Sequence, residues 1–390
     1  MSPSPLCAAD CEVADLAAVV QTLTDPAACP HAYAITRGVP LYASADLRAR
    51  LARDNVAHSF RRVLMAEWAH VWSDGPGILV LQGVYADPAL VDAVTEQFRA
   101  MITEARAGGP AADHFAKPGA NDRVWNALEK LCLRAPELFI AYYGDVLIAA
   151  ACEAWLGPGY QITSQVNRVN PGGAAQMAHR DYHLGFMSPE QAQRFPLHVH
   201  RVSPALTLQG AVAHIDMPLE SGPTLYLPHS QKYSHGYLVA GRADFQAFFD
   251  AQQVQLPLQK GDAVFFNPAL MHAAGHNRTR DVYRMANLLQ VSCAFGRAME
   301  AVDRLRMVTA LYPVFQRLRQ QGRLDDRQLV CVAAASAEGY AFPTNLDRDP
   351  PIGGLAPESQ QALLLRALQE GWPEQQFVAT ARQQAERKIA

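Results

Sequence analysis

The chain has 390 residues, 49% of them hydrophobic and 18% charged, with a formal net charge of −3. That is enough apolar material for one large core with appendages or two modest domains, and the lack of any Lys/Arg run argues against a nucleic-acid or membrane-surface ligand. The start, "MSPSPLCAADCEV", has neither a basic opening nor an apolar stretch, and the most apolar segment, "VLIAAACEAWLG", carries Glu153 and is too short for a bilayer. The expectation is a cytoplasmic protein whose partner is a small molecule, with a homodimer allowed. Seven scattered cysteines without a CxxC pair read as free thiols.

In chain order, apolar residues recur at three- and four-residue spacing in "EVADLAAVVQTLTD" and in "SADLRARLARDNVAHSFRRVLMAEWAHVW", where Ser44 is a plausible N-cap. Residues 1–75 are therefore expected to form a helical N-terminal extension. "GPGILVLQGVY" at 75–85 reads as a buried strand, followed by a helix with Pro88 in its first turn and a second helical stretch ending at Gly157. From 159 to 295 the pattern changes to short strands broken by Gly, Pro and Asn: "YQITSQVNRVN", "ALTLQGAVAHIDMP", "TLYLP", "DAVFFNP" and "RMANLLQVSCAF". Such a run suggests an antiparallel sandwich or barrel. Helical pattern returns beyond 297, interrupted by the Pro- and Asn-rich "PTNLDRDPPIGG" at 343–354. The expected fold class is a mainly β core, a jelly-roll barrel at 76–297 with flanking helices, and a helical and loop region at 298–390 packed on the barrel near its mouth or on a partner subunit.

Nine of the thirteen histidines lie between 179 and 276. His179 and Asp181, in "AQMAHRDYHLGF", stand two apart, so on an extended segment they point to one side while Arg180 looks away. Alone, such a pair is commonly a hydrogen-bonded turn. With a second imidazole from a distant strand it makes a two-His-one-carboxylate face, which leaves open positions on Fe(II). His272, in "NPALMHAAGHN", is the candidate, 93 positions later.

His179-x-Asp181, "SGPTLYLP" at 221–228, "GDAVFF" at 261–266, "HAAGHN" at 272–277 and Arg284 follow one another as in the phytanoyl-CoA dioxygenase family of Fe(II)/2-oxoglutarate oxygenases, which the segment from about 77 to 295 resembles. The resemblance implies a double-stranded β-helix, iron held by His179, Asp181 and His272, 2-oxoglutarate and O2 as cosubstrates, and Arg284 on the distal carboxylate of 2-oxoglutarate. Halogenating relatives have a small residue in place of the carboxylate, so the intact Asp181 implies oxygen transfer. Two departures stand out. The family's usual P-G-S-H reads Pro228-His229-Ser230-Gln231 here, and the arginine falls one residue later than in some members, which makes Arg278 and Arg280 rivals to Arg284. Arg284 is preferred because it opens a strand-like run, whereas the rivals sit in the "HNRTRD" turn.

Gln209, with Tyr182 and His183, is expected near the mouth, and Gln165 with Asn167 either lines the pocket or caps loops; Gln209 and Gln165 are taken as cofactor-binding. His198 and His200, in "PLHVHRVS", have same-side spacing but no third ligand, and read as part of a strand or lid. His214, in an apolar alternating strand, reads as structural. The insertions 182–203 and 229–258 are expected to form the entrance, and their Arg194, Arg201, Lys232 and Arg242 allow an anionic substrate group. The expected activity is hydroxylation of a small metabolite with release of succinate and CO2. An acyl-CoA substrate, or a cupin-like metal enzyme on the same barrel, is the alternative.

Overall fold

The structure is a computed structural model that describes residues 7–53, 59–107 and 119–389. Eleven strands occur among them: β1 Ala34–Thr36, β2 Val39–Ala43, β3 Ile78–Gln82, β4 Asn121–Val124, β5 Gln161–Val169, β6 Thr207–Ala213, β7 Leu225–Tyr226, β8 Val254–Gln255, β9 Ala263–Phe266, β10 His272–Ala273 and β11 Arg284–Ser292. Eight form one sheet in the order β1-β2-β3-β9-β6-β11-β5-β4, and three form a small sheet, β10-β7-β8. Every pairing is antiparallel except β2 with β3.

Strand alternation gives the large sheet two different faces. On β11, Met285, Leu289 and Val291 are buried in the main hydrophobic core, while Arg284, Ala286, Leu288 and Gln290 line a cavity. The same parity holds on β6, where Leu208 and Val212 enter the core and Gln209, Ala211 and Ala213 face the cavity. Helices cover the core face: Ser59–Ser73 supplies Trp68 and Trp72, Pro88–Ala107 supplies Val94 and Phe98, and Val146–Leu156 supplies Leu147 and Ile148. The small sheet lies over the opposite face and closes the cavity, with Tyr226 packed edge-on against Phe266 of the large sheet.

The mainly β expectation holds only for this core; a large mixed sheet shares the chain with many helices. The N-terminal stretch expected to be helical does contain helices at Val13–Val20, Ser44–Ala52 and Ser59–Ser73, but between them β1 and β2 form a hairpin that extends the large sheet. Its strands have only three and five residues, too few for alternation to register in the sequence. Ser44 is the first helical residue rather than its cap, which is Ala43. The long apolar stretch before Gly157 is two helices, Pro136–Tyr143 and Val146–Leu156. Asp145 starts the second by accepting the backbone N–H groups of Leu147 and Ile148, at 2.9 and 3.0 Å. Among the described residues no single helix is long and apolar enough to cross a membrane, and all seven cysteines are free.

The C-terminal region packs on the barrel, but behind it rather than at its mouth. Helices Arg304–Gln320, Asp326–Ser336, Gln360–Gln369 and Glu374–Arg387 bury Leu311, Phe315, Val332, Leu364 and Phe377 in the core shared with the helical layer. Arg304, itself buried, donates to the carbonyls of Ile162 and Ala335, tying the region to β5. Of the described residues beyond 298, Met299 alone lines the cavity. The physical reason is amphipathicity: the apolar stripes of these helices seek the dry helical layer, where the sheet presents Leu208, Val212, Leu289 and Val291. The 343–354 stretch is held against the last helix by Arg387–Asp349 and Arg348–Ile389 contacts.

Candidate active site

The strand-like approach to His179 pairs with β10. His179 N–H donates to the His272 carbonyl at 2.9 Å and His272 N–H to the His179 carbonyl at 3.1 Å, so the two imidazoles are cross-strand neighbours with ring centroids 4.5 Å apart. Asp181, two residues on, has its own N–H held by the Pro268 carbonyl at 2.9 Å, which turns the carboxylate back toward both rings. Its oxygens lie 3.6 Å from His179 Nε2 and 3.4 Å from His272 Nε2. One ligand atom from each of the three residues falls within 4.8 Å of the others.

These donors fit a metal ion. Each imidazole gives its Nδ1–H to a nearby carbonyl, His179 to Met177 at 2.9 Å and His272 to Leu270 at 2.8 Å. That fixes the tautomer in which Nε2 carries a lone pair aimed at the common centre. Burial, and then the neighbouring His272, hold the His179 imidazole below its ordinary pKa, in the neutral form that coordinates. Burial alone would raise the Asp181 carboxyl, yet it is held far below the usual range by the donors around it, Gln209 among them, and so is a carboxylate. Gln209 Nε2 also donates to Asp181 Oδ2 and locks the carboxylate in place. Ligands at right angles around an ion with roughly 2.1 Å bonds stand roughly 3 Å apart, so a small inward movement closes the set.

The cavity holding this cluster has a volume of about 570 Å³, within the range of small-molecule sites. Arg284 opens β11 at its far end, 7% exposed, and donates Nη1 to the carbonyls of Ser221 at 3.2 Å and Gly275 at 3.3 Å. Burial pushes its guanidinium down to about 10, so it remains a cation at neutral pH. Among the described residues no carboxylate stands in ion-pair distance of it. Gly222, at φ +71°, lets the 221–224 segment approach closely enough to form this wall, because a Cβ there would lie 2.3 Å from the His276 carbonyl. Arg278 and Arg280 are exposed and do not line the cavity.

The departure at 228–231 has a structural role. His229 takes φ +69° where the family pattern has Gly, its N–H bonded to the Pro76 carbonyl at 2.9 Å and its ring to Thr24. The next residue, Ser230, accepts the Met271 N–H on its hydroxyl at 2.8 Å and bonds the Arg180 guanidinium through its carbonyl. This loop therefore clamps the backbone on either side of the ligand set. Arg180, turned away from the cavity as its alternation requires, is buried against Tyr237, whose hydroxyl donates to the Asp181 carbonyl.

Gln209 and Gln165 both line the cavity, as does Asn167; Gln165 Oε1 accepts Nη1 of Arg123 at 2.9 Å. Tyr182 and His183 do not line it; both sit at positive φ in the turn after Asp181. His198 and His200 lie on a short helix, Leu197–Val202, not a strand, so their spacing of two puts them on different faces. His200 is buried and donates to the Ala192 carbonyl, while His198 is exposed. His214 is structural as expected, held between Thr95 and Tyr142 at 2.8 and 2.9 Å. Arg194, Arg201, Lys232 and Arg242 all lie off the cavity wall, and Arg242 is taken up by Asp244 and the carbonyls of Ala8 and Cys11. These four side chains therefore do not meet a ligand inside the cavity. Sequence reasoning missed Arg123, Trp125, Gln290 and Met299 on the wall. The first two belong to the short, polar β4 and its end, which had no pattern to show.

The sequence profile of the phytanoyl-CoA dioxygenase (PhyH) family matches residues 73–286. Dioxygenase trt7 of Aspergillus terreus is 29% identical over 161 residues, 41% of this chain and 46% of that protein; the match thus spans about half the length of this curated relative. Among solved structures, HygX of Streptomyces hygroscopicus with nickel, 2-oxoglutarate and hygromycin B bound aligns at TM-score 0.43 and 15% identity, over 61% of this chain and 90% of that one. The epimerase SnoN from nogalamycin biosynthesis, with Fe3+, α-ketoglutarate and nogalamycin RO, aligns at TM-score 0.42 and 18% identity, over 60% and 84%. Because the profile runs over more than half of the sequence and takes in all three residues of the His-Asp-His cluster and Arg284, the chain belongs to the phytanoyl-CoA dioxygenase family.

Proposed function

We propose that the protein is an Fe(II)- and 2-oxoglutarate-dependent dioxygenase that hydroxylates a small organic molecule and releases succinate and CO2. The observation that carries this reading is Arg284: a buried cation with no internal carboxylate partner among the described residues, opening into the same cavity as His179, Asp181 and His272. A guanidinium so placed favours an anionic ligand that also reaches the metal, and 2-oxoglutarate has a chelating keto acid at one end and a carboxylate at the other. Bound iron would supply the oxidising chemistry with O2 and the cosubstrate.

The protein's own part is positioning. His179 and His272 through Nε2, with the Asp181 carboxylate, would hold iron on one face and leave the other open. Gln209 keeps the carboxylate oriented, Arg284 holds the distal end of the cosubstrate, and Val264, Phe266, Leu256 and Leu258 present apolar wall that limits water. An intact Asp181 supports oxygen transfer over halogenation. The acyl-CoA alternative has less support, since Arg194, Arg201, Lys232 and Arg242, the cations of the entrance segments, lie off the cavity wall. The test is anaerobic titration of 2-oxoglutarate into Fe(II)-loaded protein, followed by exposure to O2 and measurement of succinate. Binding and O2-dependent succinate are expected; an iron-loaded protein that does not bind 2-oxoglutarate would overturn the reading.

A further inference from the structure

Beyond the metal cluster and Arg284, the cavity wall carries a row of carboxamides whose polar atoms are only partly used. Gln209 on β6 stands directly opposite Gln290 on β11, and Gln165 on β5 stands opposite Leu288, one cavity-facing residue before Gln290. Two of these amides have their orientation fixed. Gln209 must turn its Nε2 to the Asp181 carboxylate, which leaves Oε1 as an acceptor; Gln165 must turn its Oε1 to the Arg123 guanidinium, which leaves Nε2 as a donor. Both remaining atoms are buried without a protein partner, as is Oε1 of Gln290 between them. Gln290 has no side-chain partner to fix its orientation, and so can serve either role.

Such a row wants a ligand that both donates and accepts at more than one point, the two fixed atoms being carried two strands apart, roughly 10 Å by strand spacing. Hydroxyl groups meet that demand; a carboxylate offers only acceptors and would set its lone pairs against Gln209 Oε1. Gln290 is also six residues from Arg284 along β11, roughly 20 Å by strand rise, so it is beyond the part of the cavity assigned to the cosubstrate. Apolar side chains complete the surroundings: Met177 and Phe186 line the cavity yet are 66% and 53% exposed at its mouth.

We propose that Gln290, with Gln165 and Gln209 on either side, forms the substrate subsite and selects a neutral molecule bearing several hydroxyl groups on a partly apolar frame. The proposal deepens the dioxygenase reading and rests on it for the position of the cosubstrate. Its test uses three matched probes, phenyl β-glucoside, the same compound with every hydroxyl methylated, and phenyl glucuronide. Their binding to zinc-loaded protein is measured by ligand-observed NMR, with and without 2-oxoglutarate. The glucoside should bind at least tenfold more tightly than either relative. Gln290→Leu should erase that preference while leaving 2-oxoglutarate affinity within about twofold, and Gln290→Glu should retain the glucoside and exclude the glucuronide further. Equal or tighter binding of the methylated or carboxylate probe, no glucoside binding at millimolar concentration, or an unchanged preference in Gln290→Leu would overturn the proposal. Failure of 2-oxoglutarate itself to bind would instead strike the dioxygenase reading, and the probe preference without 2-oxoglutarate would still decide this one.

Discussion

His179 and His272, 93 positions apart in the chain, exchange both backbone hydrogen bonds and so face the cavity as one cross-strand pair. Their backbone positions are set by strand pairing, which the side-chain substitutions leave in place. His179→Ala and His272→Ala should therefore fold with near-normal circular dichroism and lose bound metal, from about one ion per chain to under about a tenth. Metal analysis after dialysis against Fe(II) under argon measures this. Full retention of iron in both variants would remove the metal reading.

Gln209 touches the metal centre only through Asp181 Oδ2, which makes it a positioning residue. Gln209→Leu should weaken metal binding about 10- to 100-fold, the usual effect of losing an orienting partner. Gln209→Asn, which keeps the amide on a shorter arm, should restore part of it. Competition against a chelator gives the affinities, and a Leu variant with wild-type affinity would show the hydrogen bond to be incidental.

Arg284→Gln retains a donor but removes the charge, so 2-oxoglutarate affinity should fall by about 2–4 kcal/mol, the scale for breaking a buried charged pair. Metal affinity should stay the same. Arg278→Gln and Arg280→Gln serve as controls, since both side chains are exposed and off the cavity wall. A larger loss in either control than in Arg284→Gln would mean that the wrong arginine has been assigned.

Why the site was legible in the sequence and parts of the fold were not follows from the length of the signals. Asp181 two residues after His179, and Arg284 at the head of a nine-residue alternating strand, are patterns in which one residue's direction fixes its neighbour's. β7, β8 and β10 have two residues each and cannot alternate visibly, yet β10 carries a ligand. His198 and His200 misled because spacing of two has meaning only on a strand, and the preceding Pro196 caps a helix there. Gln290 was hidden for a different reason: its partners Gln209 and Thr163 come from distant strands, and nothing local marks a carboxamide whose use depends on them.

Glu300 gives a pH dependence. It is buried, one oxygen accepting the Asn126 N–H at 2.6 Å and the other without a partner, and burial pushes its carboxyl up to about 7 from an ordinary value near 4.5. The folded state thus prefers the protonated form. The associated stability is fully present below pH 4.5 and is lost as pH rises toward and through 7, by at most about 3 kcal/mol for a shift of this size. Glu300→Gln mimics the protonated acid at every pH, so its melting temperature should match wild type near pH 4.5 and exceed it at pH 8. Parallel pH–melting curves for the two proteins would contradict this.

The last prediction concerns the C-terminal helices, whose position behind the sheet changes what their removal should do. A lid at the mouth could be deleted at a cost in coupling between succinate and product, with the barrel left standing. These helices instead supply Leu311, Tyr312, Phe315, Leu364 and Phe377 to the core that the large sheet also needs, with Tyr312 stacked on Phe377 at 4.1 Å and Arg304 bonded to the β5 backbone. Deleting 298–390 would expose that core face to water and leave the β5 contact unmet, so the truncated chain should be insoluble or lack a cooperative thermal transition. A single change separates packing from gross truncation: Phe315, fully buried, becomes a cavity in Phe315→Ala and should cost about 3–5 kcal/mol. Metal stoichiometry of the folded fraction should not change, because these helices pack in the core behind the sheet, whereas the ligand set lines the cavity on its other face. Urea unfolding followed by tryptophan fluorescence measures the loss. A truncated protein that unfolds cooperatively at the wild-type midpoint would show the C-terminal helices to be an independent appendage, as would a Phe315→Ala variant of unchanged stability.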